Sequence, residues 1–156
     1  MDIILKPIAT VKNSRTAPMD DDWAAIISEI ELVPGMPDEM FNSIGDFSHL
    51  EVIYYFDRVD DADIVFSGRP RGNPAYPLTG ILAQRKKDRP NKIGLCTVEL
   101  VEHNKRKIKV RNLDAIDGTA VLDIKPVFKE FQASGEIKQP AWVSDLMKNY
   151  WNMKQL

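Results

Sequence analysis

A chain of 156 residues with 44% hydrophobic content is long enough for one sizeable core and does not require a second. A formal charge of -2 and a pI near 5.7 exclude a protein coated in positive charge, so any contact with nucleic acid is expected to be local. The single cysteine, Cys96, excludes an intrachain disulfide framework and a cysteine-rich zinc site; the start of the chain is not signal-like and no run is long enough to span a membrane, so the expected setting is cytoplasmic, with no membrane and no metal.

Ten prolines and eight glycines punctuate short Val/Ile/Leu-rich runs, which predicts a mainly β body with many turns. Residues 3–11 read as a first strand with Ile8 and Val11 facing the core. Asn13 to Trp23 is a loop by composition; Asp20, Asp21 and Asp22 lack the spacing of a calcium loop and read as solvated or as a helix start. Trp23 is expected to cover something apolar, either closing a pocket or packing the core edge. Residues 26–33 alternate as a half-buried strand ended by Pro34 and Gly35, and 36–44 predict a short helix with Met40, Phe41 and Ile44 on one side.

Phe47 to Arg58 is the strongest strand and is expected to be central. Ser48 and His49 at its start read as facing opposite ways on an extended chain, which leaves His49 structural rather than catalytic. Residues 59–78 form a long loop whose Arg69 and Arg71 are candidates to extend a basic face. The next stretch, G-I-L-A-Q-R-K-K-D-R-P-N-K-I-G-L at 80–95, reads as two strand-like runs around a polar turn. There Arg85, Lys86, Lys87, Arg89 and Lys92 meet a single acid, Asp88, which suits an anion or simply a solvated turn. Pro90 biases Arg89 towards extended backbone and Asn91 tolerates a left-handed turn, so the connection is expected to be rigid.

Residues 93–101 and 105–110 predict a hairpin, with Lys105, Arg106 and Lys107 as a solvated turn. Asp117 and Gly118 predict a tight turn leading into a strand over 119–124, while Asp114 and Asp123, flanked by core residues, need hydrogen-bonding partners. Pro140 to Trp151 predicts a helix whose stripe of Trp142, Leu146 and Tyr150 docks on the body or on a second subunit.

Three segments together, D-F-S-H-L at 46–50, the 80–95 stretch and L-D-A-I-D-G-T-A-V-L-D-I-K-P at 113–126, resemble the TsaA-like family of tRNA methyltransferases called TrmO, over roughly residues 6 to 126. The resemblance implies a mainly β fold: a single-domain β-barrel over 1–130, with a short helix in its first half, followed by a C-terminal helical extension over 131–156. It implies S-adenosylmethionine as cofactor, the threonylcarbamoyl-modified adenosine beside the tRNA anticodon as methyl acceptor, and a homodimer. The lack of a glycine-rich strand-turn-helix fingerprint is consistent with a cofactor held outside a Rossmann fold. By the same resemblance the cofactor lies among Phe56, Asp57, Arg58, Arg85, Ile93, Gly94, Leu95, Leu113, Asp114, Ala115 and Ile116, with Arg89 and Asn91 facing substrate phosphate or holding the loop. Leu95, Leu113, Ala115 and Ile116 would form the adenine slot, Asp114 would accept from the ribose or the amino group, and Arg85 would pair with the methionine carboxylate. No residue stands out as catalytic base.

The chain also departs from the family pattern. Asp57 replaces a common histidine, the acidic 20–22 run replaces Pro-Arg-Gln, and Gln84, Lys92, Ala120 and Val127 replace threonine, proline, proline and tyrosine. The extra C-terminal domain of longer bacterial members is not expected in this chain. An S-adenosylmethionine-binding module without transfer activity, or a different acceptor, is the alternative expectation.

Overall fold

The computed structural model describes residues 2–153. Six strands close a barrel: β1 (Ala9–Lys12), β2 (Ile27–Leu32), β3 (His49–Tyr55), β6 (Ile93–His103), β7 (Lys107–Arg111) and β8 (Ala120–Pro126), in the order β1-β2-β7-β6-β3-β8. All neighbours run antiparallel, and closure removes the exposed edges that an open sheet would leave. Two further strands, β4 (Ser67–Gly68) and β5 (Thr79–Gly80), pair outside the barrel, and α1 (Ala141–Met147) follows it.

Alternation decides which side chains go inward. Leu50, Val52 and Tyr54 of β3, Gly94, Cys96 and Val98 of β6, and Ile108 and Val110 of β7 fill the interior. Burying each Val or Leu contributes about 1.5–3 kcal/mol. Gly94 pairs with Tyr54 across β6 and β3, and a Cβ on Gly94 would lie 2.4 Å from the Tyr54 ring. The missing side chain is the space the phenol occupies. A register shift between Ile53 and Tyr54 in the β3–β8 pairing, which leaves Leu122 unmatched, twists the ladder at the same level.

Several expectations are corrected. The first strand begins only at Ala9; Ile3, Ile4 and Leu5 are exposed, Pro7 lying before the strand rather than in it. The helical segment in the first half consists of two 3-10 turns, Asp38–Phe41 and Ile44–Asp46, with Gly45 inside the second. The long 59–78 loop carries 3-10 turns at Asp61–Asp63 and Pro70–Gly72 and the strand β4, which pairs with β5 across it. The 80–95 stretch is therefore no hairpin, since its first strand pairs with β4 and its second with β3 and β7. Arg106 does not lie in a solvated turn: it donates to the carbonyls of Met36, Leu32 and Val33 at 3.0, 3.3 and 3.2 Å and pairs with Asp38, tying down the loop after β2.

Candidate functional site

The segments singled out as a cofactor site meet at one end of the barrel, around the start of β6. Tyr54 points along the interior and donates its phenolic hydrogen to the Asp114 carboxylate. Tyr150, from the segment after α1, donates to the other carboxylate oxygen at 2.6 Å. Asp114, whose need for a partner was legible, thus has two, from elements 60 and 36 positions away. Beside it the Cys96 thiol donates to the Asn112 carbonyl at 2.9 Å, and Arg85 donates to the carbonyl of Leu95. Arg85 and Asp114 therefore flank the same short length of β6.

Burial keeps these groups protonated. It pushes the Tyr54 hydroxyl, the Tyr150 hydroxyl and the Cys96 thiol well above their usual ranges, with the negative charge of Asp114 adding to each. Cys96 is consequently no nucleophile, and the phenols act as donors.

The other candidates divide by orientation. Leu95, 44% exposed, and Ile93 lie on the outward face of β6, whereas Leu113 and Ala115 pack into the core beside Tyr54. The side chains left to line a slot are Leu95 and the half-buried Ile116. Phe56 packs edge-on against Tyr54. Arg58 turns to the carbonyl of Thr16 at 2.7 Å, and Asp57 is exposed.

The basic turn is largely self-satisfied. Lys86 and Lys87 pair with Asp88 at 2.9 and 3.2 Å, and Lys92 reaches the Val59 carbonyl at 2.7 Å and Asp61 at 2.5 Å. Arg89 donates to the Gln84 carbonyl at 2.9 Å, and Asn91 takes φ +64°, so the Arg-Pro-Asn connection is rigid as expected, but Arg89 faces inward. Arg89 holds the loop. Neither Arg69 nor Arg71 joins a basic face there: Arg69 donates to the Tyr76 carbonyl, and Arg71 clasps Asp21 at 2.8 Å with Asp20 at 3.7 Å. Arg71 thus offsets part of the charge of the acidic loop, which is further held by Arg15, donating to the Asp21 carbonyl and stacking 4.2 Å over the Trp23 ring. Trp23 is buried at the core edge. No cluster of three metal-ligating side chains occurs among the described residues, and no helix among them is long and apolar enough to cross a membrane.

At the far end of the barrel Ser48 and His49 do hydrogen-bond, 2.8 Å between Oγ and Nδ1, because Ser48 precedes the regular strand and escapes its alternation. Both are exposed and far along β3 from Tyr54. A cavity of about 200 Å³ opens at that end among Ile8, Phe41, Ile44, Phe47, Asp123 and Pro126. Its one acid, Asp123, already pairs with Lys125 at 2.7 Å.

What sequence reasoning missed were Tyr54 and Tyr150 as partners of Asp114. The one available signal was Gly94 inside a strand pattern, since a glycine there marks a place that another group approaches closely.

Residues 9–133 match the family described as the tRNA-methyltransferase O N-terminal domain. An S-adenosyl-L-methionine-binding protein of Archaeoglobus fulgidus is 32% identical over 87% of this chain and 97% of its own length. The Homo sapiens tRNA (adenine(37)-N6)-methyltransferase is 30% identical over 72% of this chain, which spans only 25% of that protein. A crystal structure of TrmO from P. aeruginosa superposes with a TM-score of 0.73 at 22% identity, over 91% of this chain and 62% of that one, a likeness of fold.

Proposed function

The chain belongs to the family of the tRNA-methyltransferase O N-terminal domain, and on that premise we propose that it is an S-adenosylmethionine-dependent methyltransferase acting on tRNA, at the N6 of an adenosine beside the anticodon that carries a threonylcarbamoyl group. The observation that carries this reading is the Asp114 carboxylate set beside the Arg85–Leu95 contact at the mouth of a closed barrel.

The donor set fits the cofactor. Asp114 offers a carboxylate to a ribose diol, Leu95 and Ile116 offer apolar contact to the adenine, and exposed Arg85 offers a guanidinium to the amino-acid carboxylate. When bound, the cofactor supplies a methyl group on a positively charged sulfur. The chain supplies position: the Tyr54 phenol donates to Asp114 rather than accepting a proton, and the buried Cys96 stays protonated, so orientation of donor and acceptor is their contribution. Arg89 and Asn91 maintain the loop that presents Arg85.

The barrel and its loops, residues 1–130, form one unit to which 131–156 are an extension. In the cytoplasm, where its tRNA substrate resides, the chain acts as a homodimer, with Leu82, 84% exposed, as a large apolar side chain for the contact to cover. Light scattering of Leu82→Glu, expected to be monomeric beside a dimeric wild type, tests this contact.

A second reading is a cofactor-binding module without transfer activity. It is favoured by the relative that the chain spans almost completely, whose name records binding alone. Calorimetric titration with S-adenosylmethionine tests the premise common to both readings. Binding in the micromolar range is expected, and none at millimolar cofactor overturns both.

A further inference from the structure

The C-terminal segment crosses the site rather than the outside of the barrel. After α1 the carbonyls of Asn149 and Tyr150 accept from the backbone N–H groups of Asp22 and Trp23 at 3.1 and 2.9 Å, and Tyr150 then places its hydroxyl on Asp114. At the other end of the segment Asp145 accepts from the Tyr76 hydroxyl at 2.5 Å. The segment is a strap, held at its ends, with one phenol inserted.

Two features make this closed state lightly held. The helix has no buried residue, so its release exposes little core. Beneath the strap, Asp22 takes φ +64°, and both its Oδ1 and the indole Nε1 of Trp23 are buried without a partner among the described residues. Lifting the strap to admit water to the two polar atoms would recover their hydration, and that gain favours opening.

The phenol of Tyr150 also has a chemical counterpart in the ligand: it is a hydroxyl donating to the carboxylate to which the cofactor diol is assigned. We propose that residues 141–152 form a displaceable strap in which Tyr150 occupies Asp114 in place of a cofactor hydroxyl, so that S-adenosylmethionine binds by exchanging with it. This rests on the reading of Asp114 as a cofactor residue. With the strap shut in most molecules, apparent affinity falls by the fraction that is open.

Tyr150→Phe removes the hydroxyl and keeps the ring. Calorimetric titration with S-adenosylmethionine is expected to show about three- to tenfold tighter binding to the variant than to wild type. In wild type, saturating cofactor is expected to speed hydrogen exchange at the amides of Asp22 and Trp23. Equal or weaker binding by the variant, or slowed exchange at those amides, overturns the exchange of hydroxyls. A cofactor-free arm separates this failure from failure of the functional reading. Without ligand the variant is expected to exchange the Asp22 and Trp23 amides faster than wild type while the Val52 and Val98 amides are unchanged, and equal rates overturn the strap. If neither protein binds cofactor, the functional reading falls with the proposal, and the wild-type titration alone reveals it.

Discussion

Tyr54, on the inward face of β3, donates its phenolic hydrogen to Asp114, which ties the barrel interior to the crossing between β7 and β8. The crossing has no regular strand pairing of its own at Asp114, so its position depends on such side-chain anchors. Asp114→Ala leaves two hydroxyls without their acceptor and is expected to cost about 1–3 kcal/mol in urea unfolding, against about 0.5–1.5 kcal/mol for Tyr54→Phe, which leaves Asp114 bonded to Tyr150. Equal stability of Asp114→Ala and wild type would remove Asp114 as an anchor.

Arg85 and Arg89 are close in sequence and differ in task. Arg85→Ala should weaken S-adenosylmethionine binding by about 1–3 kcal/mol while changing stability by under about 0.5 kcal/mol, since the side chain is exposed. Arg89→Ala should do the reverse, losing about 0.5–1.5 kcal/mol of stability with the half-buried bond to Gln84. Calorimetry and urea midpoints on the same two variants check the split. The reversed pattern would assign the anion contact to Arg89.

Gly94→Ala drives a methyl group into the Tyr54 ring, which is buried and held by Asp114, so it has no easy direction of retreat. A loss of about 1–3 kcal/mol is expected. An unperturbed melting temperature would mean that Tyr54 can leave its place without penalty.

The body of the fold was legible from local pattern: β2 and β3 lie within the stretches read as strands over 26–33 and 47–58, while β6, β7 and β8 begin inside theirs and run on by one or two residues, to His103, Arg111 and Pro126. The turn at Asp117 and Gly118 was legible because Gly118 takes φ +85°, and the Arg-Pro-Asn backbone because Pro90 and Asn91 restrict it locally. Two things were hidden. The 80–95 stretch looked like a hairpin because local pattern cannot reveal that β5 pairs back onto β4. The basic residues there looked free because their partners, the Val59 and Gln84 carbonyls and Asp61, are brought to them by the tertiary fold. Asp114 could be marked as needing a partner, but a donor from a segment as distant as Tyr150 leaves no local trace.

Three of the four tyrosines should resist alkali. Tyr54 and Tyr150 are raised by burial and then by Asp114, and Tyr76 by its hydrogen bond to Asp145. A phenol whose folded value lies above its unfolded one contributes stability that is complete below the unfolded value, near pH 10, and is lost as pH climbs towards the folded value. Phenolate absorbance between about pH 10 and 11 should therefore be lower in the folded protein than in denaturant, with folding stability falling across that window. Coincident curves for folded and denatured protein would place the phenols in water.

Mass analysis of nucleosides from tRNA carrying threonylcarbamoyladenosine, incubated with the protein and S-adenosylmethionine, tests most directly whether cofactor held between Arg85 and Asp114 serves methyl transfer. Wild type is predicted to convert that nucleoside to a product heavier by one methyl group, with conversion falling in Arg85→Ala at limiting cofactor. Cofactor binding without any methylated nucleoside would contradict the transfer and leave a binding protein.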